Sequence, residues 1–338
     1  MIVTRAPLRI SFVGGGTDIK EFYEKYPGRV ISSTIDKYVY TVINYGHLLD
    51  EIVVKYSETE SVKELKDIKH GRFREALRKL NIDGTGLEIA SFADLPGKTG
   101  LGSSSSFSTA LLKALHAHLD KPVTKQVLTE LACELEIDIL KEPIGKQDQY
   151  ATAFGGLNVF QFNTDGTVDI EPVYIDYKVR ADLEDHTILF FTGTTRSASS
   201  VLSEQKESMA DKFATYKEMS DSVPAFKEAL QNGDFKELAT MLNAGWEKKK
   251  TLAGKISNDV LDTLYTTGID SGAWGGKVLG AGGGGCLFFI APPDAHKSIV
   301  QALEEKATES GLKGFKKIDF DFTQSGTDIL FNSSPYHA

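Results

Sequence analysis

The stretch Leu95–Phe107, LPGKTGLGSSSSF, limits this chain more than any other. It follows GLEIASFADL, which reads as a strand, and opens STALLKALHAHL, which reads as a helix. The first N–H groups of a helix have no partner within it, and the helix dipole makes that end positive. Glycines let a bulky anion approach the backbone, and first-turn serines add hydroxyls. The composition is that of an anion cradle. It is equally that of a capped helix after a flexible turn, and the stretch alone leaves both readings open. Two better-known nucleotide motifs are excluded. The GKT at Gly97–Thr99 has no glycine where a P-loop needs its first, and GGGTD near the start lacks the G-x-G-x-x-G spacing.

The rest of the chain mixes strands and helices without a regular strand–helix repeat. IVTRAPLRISFV, YVYTVINYG, EIVVKYS, GGLNVFQF and HTILFFTG read as strands. SVKELKDIKHGRFREALRKL reads as one helix with Gly71 weakening its middle, and TKQVLTELACELEIDIL as another. Helix dominates from about Ser197 to Thr267, and KVLGAGGGGCLFFI then reads as strand, glycine loop, strand. The pattern predicts an α+β protein of two domains, 1–180 and 181–338.

A net charge of −9 argues against a nucleic-acid partner, and no apolar run approaches membrane-spanning length. Cys133 and Cys286 are far apart in no metal or redox pattern, so a reducing, cytoplasmic setting is expected. The histidines have no zinc-ligand spacing: His116 and His118 fall on different faces of a predicted helix. Lys248–Lys250 reads first as a solvated helix face.

Three segments taken together say more. APLRISFVGGGTD, PGKTGLGSSSS and KVLGAGGGGCLFF stand in the order and at about the spacing of the GHMP kinase superfamily, and the resemblance covers essentially the whole chain. It implies an N-terminal α+β domain with a left-handed β-α-β unit and a ferredoxin-like C-terminal domain, with the active site between them. It also implies ATP as phosphoryl donor, Mg2+, and a small-molecule acceptor.

By that resemblance the ATP phosphate loop is Pro96, Gly97, Gly100, Leu101, Gly102, Ser103, Ser104, Ser105 and Ser106. Ser104 and Glu136 would hold the metal, although Ser103 or Ser105 could replace Ser104, and Glu134 or Asp138 suit Glu136's place by composition. Asp148, in GKQDQYATAFGG, would meet the acceptor hydroxyl as base or positioner. Arg9, in APLR, would pair with it and neutralise charge on the moving phosphoryl. Gly15, Gly16, Thr17 and Asp18 match a sugar-binding segment, with Gly282 and Gly283 of the third motif on the substrate side. Within the superfamily the chain looks most like the branch acting on D-glycero-D-manno-heptose phosphates. That implies transfer to the anomeric hydroxyl of the 7-phosphate, for bacterial surface-glycan precursors. L-Fucose, galactose or an N-acetylhexosamine is the alternative acceptor, and a silent nucleotide- or sugar-binding protein the non-enzymatic alternative. A phosphorylated acceptor needs a second anion seat, for which Arg196 and one of Lys248–Lys250 are candidates. A homodimer is compatible with the sequence.

Overall fold

The computed structural model describes residues 1–46, 50–195 and 198–333. Its first sheet grows from two long strands rich in β-branched and aromatic residues, β1 (Ile2–Val13) and β2 (Gly28–Tyr45). They pair antiparallel along nearly their whole length, with register shifts at Pro7/Leu8 and Ser11/Val13. Proline has no N–H for the ladder, and irregularities of this kind bend a strand. Then come β3 (Ile52–Lys55), β4 (Thr59–Val62), β5 (Leu87–Ala93), β6 (Leu157–Phe162) and β7 (Val168–Pro172). On the side away from β1, β2 is long enough to take β6 along Gly28–Ser33 and β5 along Val39–Tyr45, with room between them for a further strand. β3 runs parallel to β5, and the helix Gly71–Lys79 lies in the connection between β4 and β5. The helix Ser103–His118 packs its apolar face on this sheet, which buries Leu111, Leu112 and Leu115 beside Ile43, Ile52 and Ile89.

The single helix read over residues 61–80 is shorter here. β4 takes the start of that run, and the helix begins only at Gly71. The reason is Glu60, a nearly buried carboxylate that accepts the Lys69 and His70 N–H groups at 2.6 and 3.0 Å. Those bonds hold the chain in a turn just where a continuous helix would run.

The second sheet contains β8 (Thr187–Thr192), β9 (Gly275–Val278), β10 (Cys286–Ile290) and β11 (Phe315–Ile318), in the order β11-β8-β10-β9. All pairs are antiparallel. Helices separate β8 from β9 and β10 from β11, which is the β-α-β-β-α-β ferredoxin-like arrangement. Two further strands, β12 (Phe322–Thr323) and β13 (Asp328–Asn332), leave this unit and pair with β2 and β1. A sequence boundary at residue 180 groups them with the second half, whereas their hydrogen bonds belong to the first sheet. The pairing partners lie some 300 residues upstream in the chain, beyond the reach of any local signal.

A shared core joins the halves: Phe12 of β1 stacks on Phe226 and packs against Phe288 of β10 and Phe322 of β12. Lys277 of β9 donates to the Ser11 and Phe12 carbonyls at 2.9 and 2.7 Å. It takes up carbonyls at the irregular end of β1, where buried polar groups need partners. Among the described residues no helix is long and apolar enough to cross a membrane.

Candidate active site

A cleft of about 310 Å3 opens where the two sheets meet. One wall is the start of the helix Ser103–His118. Its N-cap is Gly102 at φ 77°, and among the described residues no side chain caps that end. The first-turn N–H groups are therefore left for a ligand. The glycine loop between β9 and β10 backs this turn. Gly100 has φ +81°, and a Cβ there would stand 2.4 Å from the Leu279 carbonyl oxygen. The Cys286 N–H donates to the Thr99 carbonyl at 3.0 Å. Two glycine-rich segments far apart in sequence thus lie backbone against backbone.

Arg9, only 2% exposed, ties that turn to the helix Gln147–Phe154. Its Nε and Nη2 each donate to a carboxylate oxygen of Asp148 at 2.8 Å, and its Nη1 donates to the Gly100 carbonyl at 2.6 Å. The bidentate fork fixes the carboxylate in plane and orientation. Asp148 remains 27% exposed on the cleft side, so it can still meet a ligand.

Asp18 sits deeper, 3% exposed, and accepts the N–H groups of Gly16 and Gln147 at 3.1 Å each. Gly145 is required there, because a Cβ would lie 2.0 Å from Asp18 Oδ2. Burial pushes the Asp18 carboxyl above its ordinary value, the backbone donors oppose this, and the nearby Asp148 charge adds to it.

Glu136 is wholly buried in a π-helical turn over Glu134–Ile139. The Leu140 N–H donates to the Leu135 carbonyl, five residues back. Such a turn inserts a residue into a helix and re-aims its side chains. Here Glu136 reaches serines of the helix Ser103–His118: Ser105 and Ser108 donate to it at 2.8 Å each, and Gln149 also donates. The Arg72 guanidinium stands against the same group. Its Nε donates to Glu136 at 3.2 Å, and its Nη2 donates to Ser104 Oγ and to Glu142 at 2.7 Å.

The far wall carries cations. Lys249 is nearly buried and donates to the Gly280 carbonyl. Burial, with the Arg9 charge beside it, pulls its ammonium down to about 8. Its neighbours face outward: Lys248 pairs with Glu218, and Lys250 with Glu247. Lys277 is also pulled down, by burial and by the charges of Lys249 and Arg9. Gln205, 1% exposed, lines the cleft, and its Nε2 has no partner among the described residues.

Two domain families match: "GHMP kinases N terminal domain" over residues 68–156 and "GHMP kinases C terminal" over residues 226–309. The chain belongs to the GHMP kinases. It is 33% identical to the D-glycero-alpha-D-manno-heptose 7-phosphate kinase of Campylobacter jejuni, over 96% of this chain and 97% of that one. It is 25% identical to an L-fucokinase/L-fucose-1-P guanylyltransferase of Bacteroides fragilis, over 90% of this chain and 36% of the relative. Among solved structures, a D-glycero-D-manno-heptose 1-phosphate kinase of Bacteroides thetaiotaomicron superposes with a TM-score of 0.80 at 26% identity, covering 99% of this chain and 100% of that one. A Lactococcus lactis galactokinase bound to galactose, at 16% identity, shares the fold with a TM-score of 0.76. The protein is thus a phosphotransferase that uses ATP as donor.

The GHMP-kinase motifs do not all turn toward the cleft. Arg9, Gly15, Gly16, Asp18, Gly100, Gly102, Ser103, Ser104, Ser105 and Asp148 line it. Thr17 points inward: its hydroxyl donates to the Gly14 carbonyl at 2.8 Å and accepts the Arg29 N–H at 3.0 Å. Leu101 is in the core, and Ser106 donates to the Pro7 carbonyl at 2.8 Å. Pro96 and Gly97 are exposed at the loop's entry, outside the wall. Gly282 and Gly283 lie against Ile256, whose carbonyl accepts the Gly283 N–H at 2.7 Å, while Gly280 and Ala281 face the cleft. Arg196 lies outside the described residues.

Sequence reasoning missed Arg72, Glu142, Lys277 and Gln205, and did not choose among the three lysines. A signal for Lys249 existed: it extends the stripe Leu238, Ala239, Leu242, Trp246 along one helix face.

The family's metal can be tested against these side chains. Ser104 and Glu136 offer the hard oxygen donors that Mg2+ prefers. Among the described residues no three His, Cys, Asp or Glu gather into a cluster able to hold a metal by themselves. Mg2+ takes few protein ligands where nucleotide phosphates supply the rest, so one carboxylate and one hydroxyl would suffice.

Proposed function

We propose that the protein transfers the γ-phosphoryl group of ATP to the anomeric hydroxyl of D-glycero-D-manno-heptose 7-phosphate, giving the 1,7-bisphosphate. One observation carries the reading: the Arg9 fork joins Asp148 to the carbonyl of Gly100. A candidate acceptor base and a candidate phosphate seat therefore share one rigid link. The substrate is supported by the name of the C. jejuni relative, which matches nearly the whole chain.

The first-turn amides of the helix Ser103–His118 hold the polyphosphate. Asp148 accepts the proton of the acceptor hydroxyl as its oxygen bonds to phosphorus and the bond to the β-phosphate oxygen breaks, releasing ADP. An anomeric hydroxyl is more acidic than an ordinary alcohol, because the ring oxygen withdraws electrons, so a carboxylate suffices. Arg9 faces the same region and offsets charge on the moving phosphoryl. Mg2+, held by Ser104, Glu136 and the nucleotide, would supply further charge neutralisation. Asp18 accepts from sugar hydroxyls, and the unpartnered Gln205 amide donates to one. Lys249 adds positive charge for an anionic acceptor. The balance of the reaction is ATP plus sugar phosphate to ADP plus bisphosphate. We place it in the cytoplasm, where ATP is available.

The test is ADP release from ATP with a panel of sugars: heptose 7-phosphate, free heptose, L-fucose, galactose and N-acetylhexosamines. The reading requires the highest kcat/KM with the heptose 7-phosphate, and a product whose new phosphate lies on C1 by NMR. Preference for a free sugar would move the acceptor to the fucose or galactose class. ATP binding without ADP release from any sugar would leave only a binding protein.

A further inference from the structure

A wholly buried carboxylate needs a cation beside it, because its desolvation is otherwise uncompensated. For Glu136 that cation is Arg72, whose guanidinium touches Ser104, Glu136 and Glu142 together. Two of these are the groups assigned above to Mg2+. The guanidinium therefore stands in the space that a cation bridging Ser104 and Glu136 would need. Two positive charges so close would repel strongly in a site partly shielded from water.

Arg72 is placed to move. Its side chain is 19% exposed at the rim of the cleft, while Glu136 is at 0%. Its shortest ion pair is not with Glu136 but with Glu142, at 2.6 Å, and Glu142 is 24% exposed. It belongs to the first turn of the helix Gly71–Lys79, so only the side chain has to swing.

We propose that Arg72 is the resident counter-ion of the metal seat: it covers the Ser104 hydroxyl and the Glu136 carboxylate, which bond to each other at 3.4 Å, until a divalent cation displaces it and leaves it paired with Glu142 alone. The cluster keeps a positive charge in both states, so Glu136 is never buried unpaired. Cation binding is weakened in the nucleotide-free protein, because the ion must first evict the guanidinium. It strengthens when nucleotide phosphates add ligands of their own. This assignment rests on the kinase reading for the identity of the metal donors.

The test uses Mn2+ as probe on the full-length, nucleotide-free protein, with free Mn2+ counted by electron paramagnetic resonance. Arg72→Met is expected to bind Mn2+ at least tenfold more tightly than the unaltered chain. Arg72→Lys, which keeps the charge but cannot bridge three groups, is expected to fall between them. Adding Ser104→Ala to Arg72→Met should remove the gain. Equal or weaker Mn2+ binding by both Arg72 variants would overturn the proposal, as would a gain that survives Ser104→Ala. If the variants fail to fold, the unaltered protein still decides. The Arg72 Nε–H signal in 15N NMR should shift when Mg2+ is added to the ADP complex, and an unmoved signal would overturn the displacement. None of these measurements needs turnover. Tighter Mn2+ binding by Arg72→Met in a protein that phosphorylates no sugar would sink the acceptor assignment and leave this one standing.

Discussion

Asp148→Asn tests the core of the mechanism with the smallest possible change. The carboxylate accepts two N–H bonds from Arg9, both at 2.8 Å. Asparagine can accept only one of them, since its Nδ2 is itself a donor. One charge-assisted bond is lost, worth about 1.5–3 kcal/mol. The side chain also loses its ability to take a proton. General-base catalysis contributes about 10²- to 10⁴-fold in typical cases, which is roughly 2.7–5.5 kcal/mol of barrier at 1.36 kcal/mol per tenfold. The variant should therefore lose at least about two orders of magnitude in kcat. ADP affinity should stay within a few-fold, because the first-turn amides and the Arg9–Gly100 bond do not involve the altered group. ADP release by coupled assay gives the first quantity, and titration calorimetry with ADP gives the second. A variant keeping more than about a tenth of kcat would show that Asp148 is not the base. A parallel loss of ADP affinity would show that its role is to shape the nucleotide seat.

Other expectations follow from single contacts. Lys249→Met removes one buried ammonium and should raise KM for the sugar phosphate roughly 10- to 100-fold, the equivalent of one charged hydrogen bond; an unchanged KM would separate Lys249 from the acceptor. Lys249 loses its charge as pH rises through about 8, so KM for the sugar phosphate should climb between roughly pH 7.5 and 9.5. In Lys249→Met that climb should be absent, and its persistence would assign it to another group. Gly145→Ala puts a Cβ 2.0 Å from Asp18 Oδ2. It should cost about 1–3 kcal/mol in thermal stability and raise KM for the sugar more than KM for ATP; equal effects on both would contradict the place given to Asp18. Gly100→Ala, at φ +81° and 2.4 Å from the Leu279 carbonyl, should weaken ADP binding measurably by calorimetry. Unaltered binding would mean that the contact between the two glycine loops does not shape the seat.

Local chemistry made a candidate anion cradle legible, without choosing it over a capped turn. A helix start and the glycines and serines around it are written within one short stretch, which suits an anion seat and a plain capped helix alike, and likeness to a family favoured the first. The α+β class followed from the same kind of local pattern, and likeness to a family supplied Asp148, Arg9, Glu136 and Asp18. Inside the motifs, which side chain faced the cleft was less legible. Thr17, Leu101 and Ser106 belong to the right segments yet serve the core, because neighbouring residues in a strand or helix point in different directions.

By itself the sequence determined the α+β class and gathered glycines and serines at one helix start. Only the tertiary structure decided which distant residues met. Arg9 and Asp148 are 139 residues apart, Arg72 and Glu136 are 64 apart, and Lys277 reaches carbonyls 266 and 265 residues upstream. The return of β12 and β13 to the first sheet is of the same kind. The physical reason is common to all of them. A buried charge or an open strand edge must find a partner, and the partner is set by how whole layers pack rather than by neighbours along the chain.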